Sequence, residues 1–171
     1  MHKTNNYVQK MVLTALFAGM GFVLSSVVWF PNMAPFQHFI NVLAAVFVGP
    51  YWGFLAALIT GSLRMLLGGR TILAIVGAVF GAFLSGFLYQ KSKGKLYMAV
   101  IGEMIGTGII SALVAYPVMT GLYGMDLQSP FFYIPAFLPS SAMGAFLGVL
   151  VLTGLKRAGV LRRMLDKINR Q

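Results

Sequence analysis

The chain has 171 residues, 58% hydrophobic and only 9% charged, with a mean hydropathy of +0.83. A water-soluble domain of this size does not carry that balance, and with 20 Gly, 14 Phe and no Cys there is no room for a sizeable aqueous domain, a disulfide framework or a thiolate metal site. The net charge of +10 does not point to nucleic acid, because the cations sit at the ends of apolar runs, where they carry topology information instead.

Crossing about 30 Å of hydrocarbon takes roughly 20 residues at 1.5 Å rise. Breaks made by charge, Pro and Gly delimit apolar runs at residues 11–30, 36–48, 51–67, 71–89, 96–116 and 131–155, followed by a basic tail at 156–171. The first run follows Lys3 and Lys10 as a signal peptide would, but it is longer than a signal core and no persuasive small-residue cleavage site follows, so it is read as a helix. The second run is short, and Gly49-Pro50 after it is compatible with a kink in one long helix. The cations decide between one span and two. With six spans and an inner N-terminus, only Arg64 and Arg70 of the 13 Lys and Arg lie outside; with five spans, only Lys3, Lys10, Arg64 and Arg70 lie inside. The expectation is therefore an all-α integral membrane protein, a single membrane domain over 1–171 with six transmembrane helices and both termini cytoplasmic. In the tail, Val160, Leu161, Met164, Leu165 and Ile168 alternate with cations, which suits an amphipathic interfacial helix or a solvated basic segment about equally.

Small residues four apart mark close helix contacts in lipid. The fourth run carries Ala74, Ala78 and Ala82 beside Gly77, Gly81 and Ser85; the fifth carries Gly102 with Gly106 and Gly108 with Ala112; the sixth carries Gly144 with Gly148. On the first run Ala15 and Gly19, with Ala18 beside them, favour docking inside the bundle over meeting another subunit.

Ionisable groups at membrane depth are costly and face a protein interior or a wet cavity. Glu103 lies about two turns into the fifth run, with Thr107 one turn later on the same face. Function is weighed slightly ahead of a purely structural hydrogen bond there. Arg64, near the outer end of the third run, breaks the inside-positive pattern; snorkelling explains it as well as a specific role does. A second constellation is Trp29, Pro31, Asn32, Pro35, Gln37, His38 and Asn41, which places three hydrogen-bonding side chains within five positions of the short second run. Irregular backbone at membrane depth belongs to a cavity wall, so this loop suits an outward-opening pocket. The connection to the sixth run supplies Tyr116, Pro117, Tyr123, Asp126, Phe131, Phe132 and Tyr133, then Pro135, Pro139, Ser140 and Ser141. Aromatic rings with a few polar groups suit a flat heterocycle, with an interfacial aromatic belt as the competing account. There is no P-loop, no HExxH, no carboxylate cluster for a metal, no cofactor motif and no Ser, His and Asp set, so no catalytic residue is assigned.

The stretches PFQHFINVLAAVFVGPYWGFLAALITGSLRMLLGG, from Pro35 to Gly69, and GEMIGTGIISALVAYP, from Gly102 to Pro117, resemble the ThiW family. These are substrate-binding membrane subunits, the S components, of energy-coupling factor transporters, a branch of the ABC importers. The resemblance implies uptake of a thiamine precursor across a prokaryotic cell membrane, by inference the thiazole moiety, hydroxyethylthiazole. It also implies a six-helix S-component bundle, an outward pocket, a transmembrane coupling (T) subunit touched by Ala15, Ala18 and Gly19, and two partner ATPases. The candidate pocket residues are Gln37, His38, Asn41, Arg64, Glu103, Thr107, Tyr116 and Tyr133, with Glu103 accepting from the ligand and Arg64 alternatively paired with Asp126. Competing expectations are another ligand, such as hydroxymethylpyrimidine or thiamine; a small dimeric proton-coupled carrier using Glu103; and an assembly subunit that binds no small ligand.

Overall fold

The computed structural model describes residues 2–28 and 33–169, with side chains described for 6–28 and 33–168. Trp29, Pro31 and Asn32 of the second constellation therefore lie outside the described residues. The described chain is helical: α1 (His2–Val27), α2 (Pro35–Phe47), α3 (Pro50–Leu66), α4 (Leu73–Lys91), α5 (Leu96–Ile105), a π-helical segment (Gly106–Ser111), α6 (Ala112–Tyr123), α7 (Ile134–Arg157) and α8 (Val160–Asn169). Four stretches are long and apolar enough to cross a membrane: Asn6–Val27, Leu73–Lys91, the continuous rod Leu96–Tyr123, and Ile134–Arg157.

Prolines start three of these helices. Pro35 and Pro50 occupy the first turns of α2 and α3 and Pro135 that of α7, positions where a missing N–H costs nothing because no partner exists for it. Between α2 and α3 the chain reverses at Gly49, with φ +86° and ψ −176°, a region almost closed to side-chain-bearing residues. A β carbon there would also sit 2.7 Å from Gln90 Nε2. Gly49→Ala is expected to cost about 1–3 kcal/mol, read as a lower thermal midpoint in detergent; an unchanged midpoint would show that the turn does not depend on this backbone.

The 13 residues of α2 make a rod about 20 Å long, and 11 of them are buried, so α2 is the centre of the bundle. A helix apolar on all sides is stable only when enclosed. Val42 and Ala44 are wholly shielded; Ile40, Leu43, Val46 and Phe47 pack with Phe17 of α1, Ala56 of α3, Ala99 of α5 and Leu152 of α7. The tail adopts the helical alternative: Leu161 and Ile168 of α8 join this same cluster.

Glycine sets the helix separations. A β carbon on Gly102 would lie 2.6 Å from Ser85 Cα, and one on Gly106 2.6 Å from Gly81 Cα, so α4 and the α5 rod meet backbone to backbone. Gly144 does the same for α7 against α2. The α1 stripe divides differently from the expectation of internal docking. Ala18 is buried, its carbonyl accepting from Thr60 Oγ1 at 3.2 Å, whereas Ala15 and Gly19 are exposed and Gly19 has nothing within 4 Å of a β carbon. The physical reason is helical periodicity: Ala18 shares the inner face with Thr14, while Ala15 and Gly19 share the outer face with Met11, Leu16 and Met20.

Candidate binding site

Where α1 and α3 end and α2, α4 and α7 begin, the bundle holds a cavity of about 860 Å³. It lies at the end of the bundle opposite the Lys91, Lys93 and Lys95 turn and the basic α8. Its wall includes Gln37, His38, Arg64 and Tyr133 from the sequence-predicted set, together with Arg70, Thr71, Met119, Met125, Phe132, Phe137 and Ser140. The early proline of α7 belongs to this wall, and Ser140, one turn on, accepts from Ala34 N at 2.8 Å, which ties the entry of α2 to α7. Tyr133 packs against Phe132 and Phe137, with ring centroids 5.1 and 5.6 Å away, forming an aromatic flank.

Behind the wall lies a buried polar network centred on one carboxylate oxygen. Glu103 Oε1 takes His38 Nδ1 at 2.9 Å, Asn41 Nδ2 at 3.0 Å and Thr107 Oγ1 at 3.0 Å. Asn41 Nδ2 also donates to Ala78 O at 3.1 Å, and Gln37 Nε2 donates to Asn41 Oδ1 at 3.3 Å. Because Asn41 and Thr107 both donate to Oε1, that oxygen is the acceptor, and Nδ1 of His38 is the ring nitrogen that carries the hydrogen. In the neutral ring this leaves Nε2 as an acceptor. Two polar atoms of this network have no partner: Glu103 Oε2 and Gln37 Oε1. Gln37 lines the cavity while 1% exposed, so its Oε1 is a buried acceptor without a donor, an arrangement proteins rarely leave unmatched.

The local helix geometry makes this network possible. One turn separates Glu103 from Thr107, and the chain from Gly106 to Ser111 widens into a π-helix, a rare feature that is frequent at functional sites. Gly81 supplies the room: a β carbon there would stand 2.7 Å from Glu103 Oε1.

Gln37, His38, Asn41, Glu103 and Thr107 thus come together from α2 and the α5 rod, although Glu103 stands one side chain back from the wall, behind His38, rather than in it. Asn41 and Thr107 are likewise behind the wall. Tyr116 is not part of the wall; it packs beside Ala112, Ala115 and Met119 in a neighbouring cluster. Arg64 lines the cavity, but no ion pair joins it to the exposed Asp126. The sequence reading passed over Arg70, Met119, Met125 and Phe137. Arg70 carried a signal, since it is the second of the two cations left on the outer side by six spans; the apolar wall residues carried none, since their spacing is that of ordinary packing.

A mainly apolar cavity with an aromatic flank, a few polar side chains and a preset imidazole has the make-up of a small-molecule pocket. A family model described as thiamine-precursor transporter protein (ThiW) matches residues 11–158. No curated protein and no solved structure matches the chain. An apolar helical bundle with a walled cavity and a family match over nearly its whole length leave one conclusion: the chain belongs to the ThiW family of thiamine-precursor transporters and is a membrane transport protein, not an enzyme.

Proposed function

We propose that the chain is the substrate-binding S component of an energy-coupling factor importer in a prokaryotic cell membrane, and that it captures the thiazole moiety of thiamine, hydroxyethylthiazole. In this reading the whole chain is one membrane domain whose six helices, α1, α2, α3, α4, the α5–α6 rod and α7, cross the bilayer with both termini cytoplasmic. The short α2 begins at the cavity, with Met33 and Ala34 before it in the wall, a place where non-helical backbone is tolerated at membrane depth. The cavity then opens outward. The observation that carries the reading is the preset His38 imidazole, fixed by Glu103 beside a buried Gln37 acceptor and the Tyr133 aromatic flank. A flat ring with one hydroxyl matches that set: the ring lies against Tyr133 and Phe137, and the hydroxyl donates to Gln37 Oε1 or His38 Nε2. Arg64 stands at the rim of this pocket; Asn41, Glu103 and Thr107 act through His38.

The sequence carries no P-loop, and in this reading a T subunit and two ATPases supply the energy. The exposed α1 face around Ala15 and Gly19, which no described residue covers, is the docking face for the T subunit. The carrier reading draws less support, because Glu103 is fully buried and stands behind the cavity wall.

The test is equilibrium binding by the purified, detergent-solubilised chain, comparing hydroxyethylthiazole with hydroxymethylpyrimidine and thiamine, with riboflavin as control. The expected result is nucleotide-independent binding of the thiazole in the nanomolar range, about 12 kcal/mol. Preference for the pyrimidine or for thiamine would reassign the ligand, and silence across the panel would remove the substrate-binding role.

A further inference from the structure

Of the 13 Lys and Arg, Arg64 and Arg70 are the two that six spans leave at the outer end, and both line the cavity. Among the described residues the wall contains no Asp and no Glu. Neither arginine is paired with Asp126, and Glu103, behind His38, already takes three donors on one oxygen. Arg64 lies in the last turn of α3 and Arg70 follows three residues after Leu67, where Gly69, at φ +62°, turns the chain and Arg70 N bonds back to Arg64 O at 3.2 Å. That turn brings two like charges to one side of the cavity, with the Thr71 hydroxyl next to them. Two like charges at one cavity repel, no Asp or Glu among the described wall residues offsets them, and a neutral alcohol does nothing to relieve this. Snorkelling to lipid explains one cation at a helix end, but not two in the wall of the same cavity.

We infer that Arg64 and Arg70, with Thr71, form an anion subsite, and that the ligand form recognised here carries a phosphate or carboxylate on its small ring. The subsite rests on the binding role proposed above and deepens it: Tyr133 and Phe137 still hold the ring, while an esterified side-chain oxygen no longer donates to Gln37 or His38 and the arginines take the anion it then carries. Planar guanidiniums suit this because each presents paired N–H donors to two oxygens of one phosphate or carboxylate. A lipid headgroup offers the same phosphate chemistry, so the source has to be separated by experiment.

The experiment measures binding of hydroxyethylthiazole and of its phosphate monoester to the full chain, in neutral maltoside detergent and in nanodiscs of phosphatidylcholine or phosphatidylglycerol. The ester is expected to bind at least about tenfold more tightly than the alcohol, with the ratio falling toward one in R64Q/R70Q and remaining intermediate in R64K/R70K. Equal or weaker binding of the ester, or a ratio untouched by R64Q/R70Q, overturns the subsite while leaving the thiazole role standing. Loss of the preference only in phosphatidylglycerol discs assigns the arginines to a lipid headgroup and overturns the ligand assignment. Should neither thiazole bind, inorganic phosphate decides separately. A rise in thermal midpoint over chloride at equal ionic strength, absent in R64Q/R70Q, supports the anion subsite and removes the thiazole role; no rise overturns both.

Discussion

Replacing Glu103 by Gln is expected to weaken ligand binding about 10- to 100-fold while leaving the fold in place, whereas Glu103→Ala lowers stability by about 3–5 kcal/mol. The two substitutions separate two roles of one side chain. Gln keeps an oxygen where Oε1 now accepts from His38, Asn41 and Thr107, and puts its amide where Oε2 already lacks a partner, so packing and most hydrogen bonds survive. What it removes is the carboxyl group that orients His38 toward the cavity, leaving an amide in its place. Ala instead leaves the His38 and Thr107 donors without their acceptor and Asn41 Nδ2 with Ala78 O alone, in a buried site where an unpaired group carries its desolvation cost. Thermal midpoints and titration calorimetry on both variants check this. If Glu103→Gln binds ligand like the native chain, the imidazole does not need its carboxylate and the positioning role is wrong.

Gly144→Ala is expected to cost about 1–3 kcal/mol or more and to weaken ligand binding with it. A β carbon at this position of α7 would strike Pro35 O and stand 2.6 Å from His38 Cβ and 2.7 Å from Phe39 N, so α2 has to move as a body. The displaced residues include the very imidazole that lines the cavity, which couples stability to binding here. Gly154→Ala on the same helix is the control: nothing lies within 4 Å of its β carbon, and Ala is the better helix former, so its midpoint holds or rises slightly. A Gly144→Ala chain with native midpoint and affinity would mean that α2 and α7 are not held at this separation by the missing side chain.

Much of the helical architecture is legible in the residues because hydrophobic run length and proline placement act locally. Pro35, Pro50 and Pro135 sit at helix starts, and the small residues of α4, α5 and α7 lie at backbone contacts. Boundaries were less legible: the α5 rod runs past Tyr116 to Tyr123 and α7 starts at Ile134. The π-helical segment has no signature in composition, since one widened turn depends on what Glu103 and Thr107 meet across the bundle. In the site, the polar group on α2 and the Glu103, Thr107 pair stood out because polar side chains at membrane depth need partners. Which partner each had was not legible, because His38 and Glu103 are 65 positions apart.

The sequence by itself determined the membrane environment, the helix-forming runs, the basic end opposite the cavity, and the short list of polar side chains that demand an explanation. These follow from composition and from periodicities of a few residues, which no distant contact alters. Only the tertiary structure decided that Glu103 stands behind His38, that Tyr116 packs outside the wall, that Ala15 and Gly19 face outward while Ala18 faces in, and that Arg70 joins Arg64 at one cavity. Each of these depends on the rotation of one helix against another. That rotation is set by glycine contacts such as Gly81 against the α5 rod and Gly144 against α2, where the absence of a side chain lets two backbones approach.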